Sequence, residues 1–208
     1  VFSVRFHQER AAMPDPTTDW ERVDSSYVAE EGNDLILFRT RYDSMRNPRN
    51  DKVLRRLILE SVDWVNMVAL DRDGHCIMVR QYRFGVGYST LETPGGMVDP
   101  GEDSLTSAKR ELLEETGYGG GRWTYLGAVE PNPAIHNHLC HHWLAEDVEI
   151  TADPELGDGE AIEIVKMSEG EVRGAVQRGE LRHALALSVL SRVFDLWPRP
   201  YRHPAPEQ

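Results

Sequence analysis

Cysteine is nearly missing from this chain: Cys76 and Cys140 are the only two in 208 residues. Both stand in apolar, strand-like contexts, so they read as small core residues in a reducing compartment more readily than as a disulfide. Long apolar runs are missing too. None approaches the roughly 20 residues of a membrane span, and no membrane partner is expected. Positive charge is short, with 23 Lys and Arg against 35 Asp and Glu and a formal net charge of -12. Such a field repels nucleic-acid backbones, which argues against a nucleic-acid partner. There is no internal repeat. The opening run VFSVRFHQERAAM is too short and too charged for a secretory signal, so a cytoplasmic protein is expected. Length and composition predict one sizeable soluble domain with a small appended element.

What is present is concentrated in residues 96 to 118, GMVDPGEDSLTSAKRELLEETGY. Asp103 or Ser104 can cap a helix that runs to about Thr116, and Gly117 supplies its C-terminal stop. On that helix Glu111, Glu114 and Glu115 lie three and four residues apart, so all three carboxylates share one side. Leu105, Ala108 and Leu112 form a neighbouring apolar stripe that can dock on a sheet. Like charges at these offsets repel and disfavour a bare helix. Oxygen ligation of a hard divalent cation would offset that repulsion. Glu102 stands just before the helix on a Pro-Gly loop, and Gly95 and Gly96 permit close backbone approach.

Along the chain, residues 1 to 22 read as a polar, proline-bearing arm. Residues 23 to 60 read as a small antiparallel unit, with strands at Asp34–Arg39 and Val53–Glu60 and a polar loop at Ser44–Asp51 that turns at Asn47-Pro48. Residues 61 to 197 form the main domain and 198 to 208 a loose tail. A hairpin joins Trp64–Leu70 to His75–Tyr82 through Asp71–Gly74. Strands follow near Tyr125–Val129, Cys140–Ala145 and Ile162–Met167, with an acidic loop over about Thr151–Ala161. Glu169–Gln177 and His183–Leu196 read as helices, broken at Gly179 and stopped by Pro198. Strands first, one helix crossing between strands and a helix at the end predict an α+β fold, a mixed sheet sandwiched by helices.

The full spacing is Gly96, five residues, Glu102, seven residues, then Arg110-Glu111-Leu112-Leu113-Glu114-Glu115-Thr116-Gly117. This is the Nudix box, and the chain resembles the Nudix hydrolase family. Tyr118 departs from it, since the family usually places an aliphatic residue there. The resemblance extends over roughly residues 24 to 197. Trp64-Val65-Asn66, Arg80-Gln81-Tyr82-Arg83 and Leu91-Glu92-Thr93-Pro94-Gly95-Gly96 look like the ADP-ribose and nucleoside-diphosphate-sugar pyrophosphatase branch. Pro131 and Pro133 stand where that branch often carries a proline. The resemblance implies an α/β/α sandwich, Mg2+ as cofactor with Mn2+ as a substitute, and a nucleoside diphosphate sugar as substrate. Other Nudix substrates remain alternatives: GDP-mannose, a dinucleoside polyphosphate or an oxidised dNTP. So does a non-catalytic module that senses ADP-ribose, although the intact box argues against it.

By the same resemblance, Glu111 and Glu115 are the first choice of metal ligands and the Gly95 carbonyl the third, with Glu114 as a further ligand or water-orienting carboxylate. Glu102 supports the loop. Arg110 holds a box carboxylate, or is a plain partner of Glu114 one turn away. The catalytic base is expected in the loop Asp158–Glu163, with Glu160 favoured and Glu163 and Asp158 as runners-up. Arg83 is a candidate diphosphate clamp and Arg56 a second substrate contact. His136 and His138 have the spacing of a metal pair on a strand, yet with His141 and His142 they lack any cysteine or carboxylate pattern. A substrate-lining loop histidine is the preferred reading. Trp20, Trp64, Tyr42 and Tyr88 are each able to stack on a base. A homodimer is expected, because the strand pair in residues 23 to 60 needs a sheet or a partner to bury Leu35, Leu37, Leu57 and Leu59.

Overall fold

The computed structural model describes residues 21–27, 38–157 and 161–197. They divide into two compact units at Asp63/Trp64, with residues 130–139 belonging to the first. In that unit β1 (Glu21–Tyr27), β2 (Arg39–Arg46) and β3 (Val53–Glu60) make an antiparallel sheet in the order β1-β2-β3. β3 has the bounds its sequence predicts. The other expectations shift. β1 begins inside the expected arm, and the expected strand at 34–39 lies outside the described residues except for its last two positions. β2 instead runs through Ser44–Arg46, which read as loop. Its pattern is polar: Arg41 donates to Asp43 at 2.9 Å and pairs with Glu60, so charged rather than apolar side chains face inward and the usual alternation is hidden. The turn at Asn47 is as expected, closed by the Asn47 N–H on the Lys52 carbonyl at 2.9 Å. Residues 130–139 join this unit through the Leu59 N–H, which donates to the Ile135 carbonyl at 2.7 Å.

The second unit holds β4 (Trp64–Asp71), β5 (Cys76–Arg83), β6 (Tyr88–Glu92), β7 (Gly95–Met97), α1 (Ser104–Thr116), β8 (Tyr118–Val129), β9 (Cys140–Ile150), β10 (Ile162–Met167), α2 (Glu169–Gln177) and α3 (Ala184–Leu190). Its sheet runs β10-β5-β4-β9-β8, with β4 and β9 parallel and the other pairs antiparallel. β4 is apolar nearly throughout because both its faces are covered. Val65, Met67 and Ala69 meet Ala108 and Leu112 of α1. Val68 meets Val172 and Ala175 of α2 and Ala186, Val189 and Leu190 of α3. Each such aliphatic side chain contributes about 1.5–3 kcal/mol by leaving water. The unit is therefore an α/β/α sandwich on a mixed sheet, the α+β class that the sequence predicts. Cys76 and Cys140 are fully buried thiols, Cys140 Sγ lying 3.4 Å from Asn66 Oδ1.

One feature of the sheet positions the site. β4 and β5 touch in register only at Leu70 and Cys76, beside their turn, and then splay. β6 pairs with the far end of β5 and β7 with the start of β4. The short bend Thr93-Pro94 joins them, so Gly95 and Gly96 lie along β4 at Asn66 and Val65. Three element lengths differ from expectation. β8 starts at Tyr118 rather than near Tyr125, because Gly117 ends the helix and passes straight into the strand. β9 continues to Ile150 because β8 pairs along it as far as Tyr118, with Asp147 and Glu149 exposed to solvent. α3 stops at Leu190, and turns at 191–194 bring Leu196 back to the core, so an apolar rhythm persists without a helix.

Candidate active site

α1 forms as its caps dictate. The Asp103 side chain accepts from the Leu105 and Thr106 N–H groups at 2.9 Å, and Gly117 closes the helix in the left-handed region at φ 72°. The docked stripe buries Ala108 and Leu112 fully, which fixes the helix rotation and turns Glu111 and Glu115 toward β7. Gly95 and Gly96 are required by close approach. A side chain on Gly95 would strike the Val65 carbonyl and Asn66, and one on Gly96 would strike the Glu111 carboxylate. The Asn66 amide holds the bend from the other side, donating to the Pro94 carbonyl at 3.2 Å.

Arg110 is the hub. Its Nη1 donates to Glu111 at 2.9 Å and Glu114 at 3.0 Å, and its Nη2 to the Met97 carbonyl at 3.0 Å and Glu102 at 3.2 Å. Both readings of Arg110 therefore coexist: it holds box carboxylates and also spans the turn to Glu114. Partial burial works against its charge, but Glu102, Glu111 and Glu114 outweigh this and hold its pKa above the ordinary value. Arg110 and the Ser107 hydroxyl, which donates at 2.6 Å, hold the Glu102 carboxyl below its usual range. Glu115 is 5% exposed and accepts from the Gly95 N–H at 3.0 Å. One guanidinium thus meets three carboxylates, Glu102, Glu111 and Glu114, with Asp99 a further 3.8 Å neighbour. An all-oxygen set with surplus negative charge fits a hard divalent cation, and Glu111, Glu114 and Glu115 are the residues that would hold it.

The remaining candidates are placed as follows. Arg83, at the end of β5, forms a two-point pair with Glu92: Nε to Oε1 at 2.8 Å and Nη2 to Oε2 at 2.6 Å. Glu92 is buried and also meets Thr90 and His183. Glu163, on β10, pairs with Arg80 at 3.5 Å and is exposed. Glu160 and Asp158 lie outside the described residues, as do Trp20, Leu35 and Leu37. Arg56 is on β3 in the first unit, opposite Asp43 in register, with Nη1 3.4 Å from the Arg55 carbonyl. The histidines do not form a metal group. His136 stacks on both Phe38 and His138 in the first unit, with ring centres 5.1 Å apart in each pair. In the second unit His141 bonds Tyr125 at 2.9 Å, and burial pushes His142 down to about 4, a neutral core ring. Tyr42 lies under the Arg55 guanidinium and Tyr88 under Arg182. Sequence reasoning assigned no role to Glu92 or His183. The available signal was a carboxylate closing the strand Tyr88–Glu92 two residues after Thr90, on the face that Arg83 shares across the hairpin.

Comparison with known proteins follows the same lines. A family model described as NUDIX domain matches residues 62–187. The chain is 29% identical over 136 residues to an ADP-ribose pyrophosphatase of Bacillus subtilis, covering 65% of this chain and 74% of that protein. It is 31% identical over 158 residues to an ADP-ribose pyrophosphatase of Mycobacterium tuberculosis, covering 73% and 74%. A solved structure of an ADP compounds hydrolase superposes with a TM-score of 0.72 over 86% of this chain and 95% of that one, at 22% identity, which shows a shared fold.

Proposed function

This chain belongs to the Nudix hydrolase family, and on that premise we propose that it is a Mg2+-dependent pyrophosphatase acting on ADP-ribose or a related nucleoside diphosphate sugar. The observation that carries the reading is the carboxylate cluster at the start and along one side of α1, with Glu102, Glu111 and Glu114 on Arg110 and Glu115 on the Gly95 N–H, lined by side-chain-free Gly95 and Gly96. The choice of ADP-ribose rests on the two pyrophosphatase relatives, of which the chain spans about three quarters. Glu111, Glu115, Glu114 and the Gly95 carbonyl would hold the ion, with Mn2+ as a substitute. When bound, the ion neutralises phosphate oxygens and lowers the pKa of water.

The chain's own residues do the rest. Arg110 keeps Glu111 and Glu114 apart from each other's charge and oriented on one side of α1. Glu102, tied by Ser107 and Arg110, fixes the loop that leads into the helix. Arg83 and Arg56 are assigned to the substrate, Arg83 to its diphosphate. Glu160 is assigned as the base, with Glu163 and Asp158 as the other carboxylates of that loop. Water adds to one phosphorus, the P–O bond of the bridge breaks, and the products are AMP and ribose 5-phosphate. The active form is assigned as a cytoplasmic homodimer. Exposed Val53 and Leu57 on β3 support a second copy, and no helix among the described residues is long and apolar enough to cross a membrane. Light scattering that returned the mass of one chain at micromolar concentration would remove the dimer.

The test of the activity is phosphate release with Mg2+ and a coupled phosphatase across ADP-ribose, GDP-mannose, dinucleoside polyphosphates and oxidised dNTPs. ADP-ribose is expected to give the highest kcat/KM. A higher value for any other member would overturn the substrate, and no turnover of any would overturn the enzyme.

A further inference from the structure

The hairpin of β5 and β6 carries Arg83, and the connector between α2 and α3 runs along it. Three connector side chains engage it. Glu180 accepts from Arg80 at 3.1 Å, the Arg182 guanidinium lies 5.6 Å from the Tyr88 ring centre, and His183 Nε2 stands 3.6 Å from Glu92 Oε2. Leu181, among them, is locked in the core at 1% exposure. The connector therefore has a fixed position from which to brace the hairpin.

The brace ends on Glu92. This carboxylate is 1% exposed, whereas the Arg83 side chain is 44% exposed. The pair is thus anchored at its anion and open at its cation. Burial alone would push the Glu92 carboxyl up, but Arg83, Thr90 and His183 overcome it and hold it below the ordinary range. The His183 tautomer follows from its neighbours. Its Nδ1 accepts from the Ala186 N–H at 3.3 Å, so the proton of the neutral ring is on Nε2, the atom facing Glu92. Burial pushes this ring's pKa below its ordinary value, and the Glu92 carboxylate opposes that shift. Side-on pairing through Nε and Nη2 fixes the guanidinium plane and aims its end edge along the side chain. A buried ion pair is poor evidence for stability by itself, because desolvation consumes much of the attraction. It is an effective way to hold an arginine in one orientation.

We propose that Glu92, braced by Thr90 and His183, is a positioning residue that orients the Arg83 guanidinium for the diphosphate of the substrate. The assignment rests on the reading of this chain as a nucleoside-diphosphate-sugar pyrophosphatase. Its test is a mutant cycle with kcat and KM for ADP-ribose measured in Mg2+. The variants are Glu92→Gln, Glu92→Asp, His183→Asn and Arg83→Ala, with Arg83→Ala combined with each of the first three. Asparagine still caps α3 but has no group in place of Nε2, so His183→Asn carries the test if Glu92→Gln does not fold.

Glu92→Gln should raise KM about tenfold, the size of one charge-assisted hydrogen bond. His183→Asn should raise it roughly two- to threefold, with kcat within about twofold in both. Glu92→Asp should recover part of the loss. In the Arg83→Ala background none of these changes should raise KM further. A lowered melting temperature with KM unchanged would make the pair structural only, and full additivity with Arg83→Ala would equally overturn the proposal. Wild-type turnover of GDP-mannose in place of ADP-ribose would refute the substrate alone, and the cycle is then read on GDP-mannose, which shares the diphosphate. No turnover of any diphosphate would overturn both.

Discussion

Two acidic corners of the second unit differ in a way that supports the proposed site. In the β4–β5 turn, the ligand-capable atoms of Asp71, Asp73 and His75 lie within 4.8 Å of one another. On α1, Glu111, Glu114 and Glu115 are held by Arg110 or the Gly95 N–H, and among the described residues only the turn has so tight a group. Proximity alone would choose the turn. Its central carboxylate, however, is already taken. Asp71 Oδ1 accepts from the Asp73 and His75 N–H groups at 3.0 and 2.8 Å, and Oδ2 pairs with Lys166 at 2.6 Å. That is an Asx-type turn closing a hairpin. The α1 face has three carboxylates, Glu111, Glu114 and Glu115, for one guanidinium, on a helix whose offsets make them repel. Unbalanced charge held in place by packing, rather than closeness, marks where a cation belongs.

The comparison breaks most easily at Glu115, the most buried of the box carboxylates. Glu115→Gln should lower kcat by about a thousandfold with a much smaller change in KM, since an interaction made in the transition state is lost. Near wild-type turnover at saturating Mg2+ would return the metal to some other group. Next comes Gly96→Ala. The added methyl must displace the Glu111 carboxylate, and kcat/KM should fall by about 10- to 100-fold while the helix content in circular dichroism stays unchanged. An active Gly96→Ala enzyme would mean that Glu111 need not lie against β7.

A smaller effect separates the loop carboxylates. Glu160→Gln should lower kcat about tenfold or more, and Glu163→Gln less, because Glu163 is an exposed partner of Arg80. The reverse order would transfer the base to Glu163. Last is the turn itself. Asp71→Asn should cost about 1 kcal/mol of stability at pH 7 with kcat unchanged. Burial pushes Asp71 up, but Lys166 and the turn N–H groups pull its folded pKa below 3.8. Its contribution is therefore present above pH 3.8 and is lost as pH falls through the lower folded value. Urea melts of wild type and variant should converge in acid. A variant that lost Mg2+-dependent activity would overturn the contrast between the corners.

How much could be read beforehand differs between these regions for physical reasons. α1, its Asp103 and Gly117 caps, β3, β10 and α2 were all legible, since each depends on residues a few positions apart. The start of β8 was not: a strand was expected only near Tyr125, yet it also carries Gly119, Gly120 and Gly121 because β9 pairs alongside. Ser44–Arg46 read as loop rather than as part of β2 because the inward residues of that strand are the charged Arg41 and Asp43, with Arg41 paired to Glu60 from another strand. Glu92 went without a role because the residues that give it one, Arg83 and His183, are 9 and 91 positions away.

By itself, then, the sequence determined the carboxylate face of α1, the rotation of that helix against a sheet and the family. Helical period and capping chemistry act within a turn or two of chain, so they are written in consecutive residues. Only the tertiary structure decided which charges meet: Arg110 with the Met97 carbonyl, the Gly95 N–H with Glu115, Lys166 with Asp71, His183 with Glu92. Those encounters depend on strand register and on helices packing across a sheet, which are set by burial summed over the whole unit rather than by any local run.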